Sequence, residues 1–218
     1  MKKILSILII TTLLIAIFIS CSKDDNTSND LPIKNYTAAI KGKNWFGELT
    51  YTGKPIEYYS VLFNADNTLV WSQLSGDYTG NWIVNGKLLT MTFIENTAEI
   101  KATISDDDKL INISDNTGYY EIKSGQLILN PNIPLDNTIW NGTAGPYDLQ
   151  LSFMPSNVVE MKIGNTTYAP YSYQKSTSGG AIRIRSSATQ ETFGVITGSA
   201  EMKGSHKVNG NPLKATKQ

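Results

Sequence analysis

Cysteine and histidine are almost missing from this 218-residue chain, which holds one of each, Cys21 and His206. A single cysteine excludes an intrachain disulfide, so stability has to come from apolar burial and backbone pairing. There is no zinc-type ligand spacing, no glycine loop of the kind that cradles phosphate and no Gly-x-Ser-x-Gly elbow. His206, in the turn-like segment Gly204-Ser205-His206-Lys207, therefore lacks the partners of a nucleophilic site. No cofactor or metal site is expected. Net charge is absent too: 19 Lys+Arg face 19 Asp+Glu, a balance with no general pull toward nucleic acid. After residue 19 no apolar run is long enough to cross a bilayer as a helix, and no long segment has helical periodicity.

What is present begins at the first residue. Met1-Lys2-Lys3 is cationic, and Ile4 to Ile19 is apolar apart from Ser6, Thr11 and Thr12. Its 16 residues fall short of the roughly 20 that span a bilayer. With the small Ser20 before it, Cys21 stands where a secretory signal peptide is cut. A cysteine exposed by that cut can carry lipid, which turns a secreted chain into an anchored one. The expected layout is a signal peptide over 1–20 and a lipidated tether over 21–31. The tether's polar composition gives it nothing to bury.

From there the chain has period two. Leu89, Met91 and Phe93 alternate with Leu88, Thr90 and Thr92, and Leu149, Leu151 and Phe153 alternate with Asp148, Gln150 and Ser152. Val159, Met161 and Ile163 continue the pattern, as do Ile182 and Ile184, which alternate with Arg183 and Arg185. Half-buried antiparallel strands alternate in this way because successive side chains leave opposite faces. Turn residues separate the runs, among them Asn64-Ala65-Asp66-Asn67, Asn85-Gly86 and Asp115-Asn116-Thr117-Gly118. The chain is expected to be all-β.

Asn130-Pro131-Asn132-Ile133-Pro134 makes a poor strand, since proline cannot donate to a sheet ladder. It marks a linker over 131–135 between β domains at 32–130 and 136–218, each expected to fold independently. Residues 32–135 carry 8 basic and 11 acidic side chains, and 136–218 carry 8 and 5. The halves open alike, with Trp45-Phe46-Gly47 and Trp140-Asn141-Gly142, which suggests an internal duplication.

These residues resemble known families. Phe18-Ile19-Ser20-Cys21 is similar to the lipobox of bacterial lipoproteins, with a bulkier residue than usual before Ser20. Lys23-Asp24-Asp25 resembles the signal that sends some of them to the outer face of the outer membrane. The first half has an opening Trp45, then Phe63-Asn64-Ala65-Asp66-Asn67-Thr68, then Gly80-Asn81-Trp82 running to Leu88-Leu89-Thr90. It resembles the lipocalin-like domains of secreted bacterial lipoproteins, with Asn67 where glycine is usual. Gly194 to Gly204 and Leu213 to Lys217 look like final strands of the same group. The resemblance implies two small antiparallel up-and-down β-barrels of eight strands, and a β-sandwich is the alternative. It also implies that the opening tryptophan packs across one barrel end.

Trp45 and Trp140 are accordingly expected as structural plugs. Trp71 and Trp82 are the candidate ligand-binding residues, because aromatic side chains at a barrel mouth stack on sugars or enclose apolar ligands. Core packing is the competing reading for both. Of Tyr58 and Tyr59 only one can face the core, leaving the other exposed for a partner. Tyr171 and Tyr173 share a face if a strand begins at Pro170, and an exposed aromatic face there would hint at binding. Asp106-Asp107-Asp108 lacks the ligand spacing of a calcium loop and reads as a solvated hairpin turn.

The functional expectation is a non-catalytic, surface-anchored binding module. Its partners are the membrane, through lipid on Cys21, and a small apolar molecule, a glycan or a surface protein. A structural lipoprotein with filled barrels is the alternative, and a carboxylate-dependent surface hydrolase is the third reading. A hollow interior separates the first two, since bulky inward residues leave no room for a ligand.

Overall fold

The structure, a computed structural model, describes residues 34–51, 53–128, 131–185, 191–198, 200–206 and 211–218. Cys21, the signal segment and the tether lie outside the described residues. The architecture is all-β, as the alternation implied, and takes the form of two closed barrels of eight antiparallel strands, as the resemblance implied, rather than the alternative β-sandwich.

The first barrel runs β1 (Lys43–Thr50), β2 (Glu57–Phe63), β3 (Thr68–Gln73), β4 (Gly76–Asn85), β5 (Leu88–Phe93), β6 (Glu99–Ile104), β7 (Lys109–Asp115) and β8 (Glu121–Leu127). Each strand pairs with the next, and β8 returns to β1 with Trp45 opposite Leu127. Closure removes the exposed edges that an open sheet would offer to other chains. Inward positions carry Trp45, Leu49, Tyr59, Val61, Phe63, Leu69, Trp71, Trp82, Leu89 and Met91, which form one core. The β2–β3 turn explains the missing glycine: Asn67 has φ +68°, and asparagine is among the few residues that tolerate the left-handed region.

A short helix, α1 (Tyr36–Ile40), precedes β1. The Asn35 side chain caps it by accepting the Ala38 N–H at 3.0 Å. Ile40 is fully buried in the first core, and the Gly42 N–H donates to Phe63 O at 2.7 Å. The helix therefore closes the barrel end where β1 begins and β2 finishes. Nearby, the Tyr36 hydroxyl donates to Asp106 at 2.6 Å, and Lys87 pairs with Asp106 at 2.9 Å. Asp106-Asp107-Asp108 lies in the β6–β7 hairpin turn, with Asp107 held by Lys109 and by the Ser105 hydroxyl.

The second barrel runs β9 (Thr138–Ala144), β10 (Tyr147–Met154), β11 (Val158–Ile163), β13 (Tyr171–Lys175), β14 (Ala181–Arg185), β15 (Glu191–Ile196), β16 (Glu201–His206) and β17 (Pro212–Lys217). The two-residue β12 (Thr166–Thr167) adds to β11, and β17 closes onto β9. Trp140, Leu149, Leu151, Phe153, Val159, Met161, Tyr173, Ile182 and Ile184 fill this interior. Residues 131–135 form no strand, as the prolines required, yet Ile133 and Leu135 are buried in the second core. Tyr171 and Tyr173 do share a face, but it is the inner one, so the two do not form an exposed aromatic face.

A third core joins the barrels. Phe46, Tyr58, Leu74 and Ile128 pack against Ala181, Phe193 and Val195. The expectation that one of Tyr58 and Tyr59 would be exposed is corrected here. They do face opposite sides of β2, but the outward Tyr58 is covered by the second barrel and both are buried. Arg183 is buried in the same seam. Its guanidinium donates to Gln73 O, to Leu74 O at 3.2 Å, to Asp77 at 2.8 Å and to Glu191 at 3.2 Å, beside the Phe193 ring. Ser178 Oγ donates to Ser60 Oγ at 3.1 Å, and the Asn44 amide donates to Ser178 O. Residues Asn35–Gln218 thus form one compact unit.

Candidate functional site

The end of the first barrel opposite α1 is open, and a cavity of about 400 Å³ enters there. Alternating strands arrive at this end or leave from it, which sets what they contribute. Leu49, Trp71, Phe93 and Asp115 come from the last residues of β1, β3, β5 and β7. Tyr78, Ile100 and Ile122 come from the first residues of β4, β6 and β8. The volume lies in the range of small-molecule pockets, and the walls are mainly apolar and aromatic.

Trp71 anchors the floor. Its indole stacks on Tyr59 with ring centres 4.0 Å apart and an interplanar angle of 11°, and it meets Phe93 edge-on at 5.9 Å. The indole N–H donates to Gln73 Oε1 at 2.8 Å. The Gln73 amide in turn donates to Ser75 Oγ at 2.6 Å and reaches the Tyr120 hydroxyl at 3.4 Å. Ser75 and Tyr78 exchange a hydrogen bond at 3.0 Å. This chain of bonds fixes the rotamers along the wall made by the β3–β4 hairpin.

The opposite rim is a tyrosine cluster on the β7–β8 connection. Asp115 accepts the backbone N–H groups of Thr117, Tyr119 and Tyr120 at 3.2 to 3.3 Å and also the Thr117 hydroxyl. That capping folds the loop so that Tyr119 and Tyr120 stand edge to face, 4.9 Å apart. Tyr119 is 61% exposed and stacks on Tyr51 at 5.6 Å. The Tyr51 hydroxyl donates to Glu57 Oε1 at 2.5 Å. Burial, reinforced by the hydrogen bond and charge of Glu57, holds the Tyr51 phenol well above the usual tyrosine range. Burial also raises the Tyr120 phenol. Both therefore remain protonated at neutral pH.

Of the two tryptophans expected to bind ligand, the structure brings only Trp71 to the cavity. Trp82 is 1% exposed and sits toward the α1 end, edge-on to Phe63 at 5.7 Å, with its N–H donating to Thr68 O at 3.0 Å. The reason lies in the antiparallel register. Trp71 pairs with Tyr78 at the mouth, and four residues further along β4 Trp82 pairs with Met91, well inside. Trp45 and Trp140 are fully buried at corresponding places in the two barrels. His206 ends β16 of the second barrel, whereas the described residues that line the cavity all belong to the first. Phe93, Tyr78, Tyr119 and Tyr120 were not singled out from the sequence. Phe93 carried a signal, as the last inward residue of an alternating run, and Tyr119-Tyr120 is an aromatic pair directly after a Gly turn.

Among the described residues, no group of three or more His, Cys, Asp or Glu is placed to hold a metal ion. Comparison with protein-family models, with curated proteins and with solved structures finds no match to this chain.

Proposed function

We propose that this chain is a lipid-anchored cell-envelope protein, related to the lipocalin-like bacterial lipoproteins, whose first barrel binds a small ligand without catalysing a reaction. The observation that carries the reading is the aromatic cavity at the end of the first barrel opposite the one that α1 covers. The only carboxylate among the described lining residues, Asp115, is occupied in folding its own loop, which favours binding over hydrolysis. The second barrel, filled by Trp140 and Phe153 among others, acts as scaffold.

Saturable uptake of a neutral apolar fluorophore, N-phenyl-1-naphthylamine, tests the binding. Energy transfer from tryptophan reports a probe bound to the protein rather than dissolved in lipid. Phe93→Ala and Tyr119→Ala should each weaken uptake about ten-fold. For the exposed Tyr119 the melting temperature should hardly move, since surface substitutions cost within about 0.5 kcal/mol. Absence of saturable transfer, or affinities indifferent to both changes, would sink the proposal.

The anchoring reading rests on the apolar run Ile4–Ile19, Ser20 and Cys21, and the outer-membrane, outward-facing part of it rests on the resemblance of Lys23-Asp24-Asp25 to a surface-sorting signal. Cys21→Ser should release it from the membrane fraction. Native protein that still begins at Met1 with an unmodified Cys21 thiol would defeat this part of the reading.

A further inference from the structure

The cavity has aromatic faces in abundance and a one-sided charge. Trp71, Tyr78, Phe93, Tyr119 and Tyr120 line it, and its only charged lining residue among those described is the carboxylate Asp115. No lysine, arginine or histidine is among the described lining residues. A ligand carboxylate or phosphate entering here would lose its water and meet no cation in return.

A second, independent feature points the same way. Glu57 lies on the inward face of β2, in step with Tyr59, Val61 and Phe63, and directly opposite the cavity-lining Leu49 on β1. Side chains opposed in this way sit about 5 Å apart. Glu57 is 8% exposed. One of its carboxylate oxygens takes the Tyr51 hydroxyl, and the other, buried, has no hydrogen-bond partner among the described residues. An acceptor left unpaired in a barrel interior is costly unless something else compensates it. Tyr51, which holds the first oxygen, stacks on Tyr119 and meets Tyr120 edge-on. A carboxylate thus lies beside the cavity-lining Leu49 and bonded to Tyr51, next to the aromatic side chains that line the cavity. That combination favours a positive group, by attraction to the ring quadrupoles and to the carboxylates together.

We infer that the cavity selects a small organic cation, an amine or quaternary ammonium group carried on an apolar body, over neutral or anionic molecules of the same shape. This inference rests on the reading of the cavity as a ligand site. It goes further by naming the charge of what enters.

The test compares two matched probes on the full chain, dansylcadaverine, which ends in an ammonium, and dansyl-6-aminohexanoic acid, which ends in a carboxylate. N-phenyl-1-naphthylamine serves as the neutral reference, and all three are read by energy transfer from tryptophan. The ammonium probe should bind more tightly than the carboxylate probe by about five-fold or more. Glu57→Gln, which keeps an acceptor for Tyr51 but removes the charge, should narrow that ratio. Should the variant fail to fold, the wild-type ratio decides alone. Equal affinities, or a tighter carboxylate probe, overturn the charge preference, and if the neutral probe still binds, the cavity reading survives. A ratio unchanged in a folded Glu57→Gln protein removes Glu57 from the explanation and overturns the inference as argued. If none of the three probes binds, both readings fall.

Discussion

Tyr59 joins several lines of reasoning at one residue. Its ring is the stacking partner of Trp71 under the cavity, and its hydroxyl is buried with no hydrogen-bond partner among the described residues. Gly47 and Gly125 make the room, because a Cβ at either would stand 2.6 or 2.9 Å from that oxygen. Burial raises the phenol above its ordinary value of 10.0. Below pH 10 the folded and unfolded chains both keep this proton, so its burial adds no pH dependence there. Above it the unfolded chain ionises first, and stability falls by about 1.4 kcal/mol per pH unit for such a group. Tyr59→Phe removes the unpaired hydroxyl and should add about 1 kcal/mol at neutral pH. It should also make the alkaline loss shallower. The loss will not vanish, because Tyr173, pushed up to about 12 by burial and its bond to Asp136, remains. Urea denaturation of both proteins near pH 7 and pH 11 is the measurement, and parallel losses would refute the account. The sequence showed that Tyr58 and Tyr59 face opposite ways. It could not show that a second barrel covers Tyr58, because that contact joins residues far apart in the chain.

At the scale of elements, strands and turns were legible because their causes are local. Period-two alternation at Leu89–Phe93 and Leu149–Phe153 marks β5 and β10, and Asn67 supplies the positive φ of the β2–β3 turn. The resemblance put an opening tryptophan at a barrel end, but the segments that pack onto each core ahead of its first strand were not legible. The helix α1 is too short to show a period, and Ile133 and Leu135 lie in a segment whose prolines mark only the absence of a strand. The cavity was half legible. A mouth residue is one that is inward and also near a strand end, which Trp71 satisfies and Trp82 does not once the register is known. Arg183 shows the same limit. Alternation with Ile182 and Ile184 correctly turns it outward, yet outward here means into the seam, where it holds the carbonyls of Gln73 and Leu74 at the cavity's own hairpin.

Across the whole molecule the two barrels repeat one plan. Trp45 pairs with Val61 and Lys43 with Phe63, while Trp140 pairs with Leu151 and Thr138 with Phe153. Each tryptophan has a buried apolar residue five positions before it, Ile40 or Leu135, and each phenylalanine has an asparagine with positive φ four positions after it, Asn67 or Asn157. The copies differ where function would separate them, since Trp71 in the first falls at the place of Met161 in the second. The seam then makes one unit of two barrels. Phe193 and Leu74 are buried in it, each such side chain contributing roughly 1.5–3 kcal/mol, and Arg183 is paired across it. The four tryptophans divide unevenly, with Trp45, Trp71 and Trp82 in one barrel and Trp140 in the other. Fluorotryptophan labelling therefore gives each barrel its own fluorine NMR signal, and in urea all four folded signals should vanish at one concentration. Arg183→Met takes the guanidinium from the carbonyls of Gln73 and Leu74 and from Asp77 and Glu191, with Thr177 still donating to Asp77, and should cost about 3–5 kcal/mol. The midpoint of the three first-barrel signals should fall with that of Trp140, because both barrels share the lost contact. A variant in which only one barrel's signals shift, or a wild type whose Trp140 signal is lost apart from the others, would mean that the seam holds two independent domains side by side.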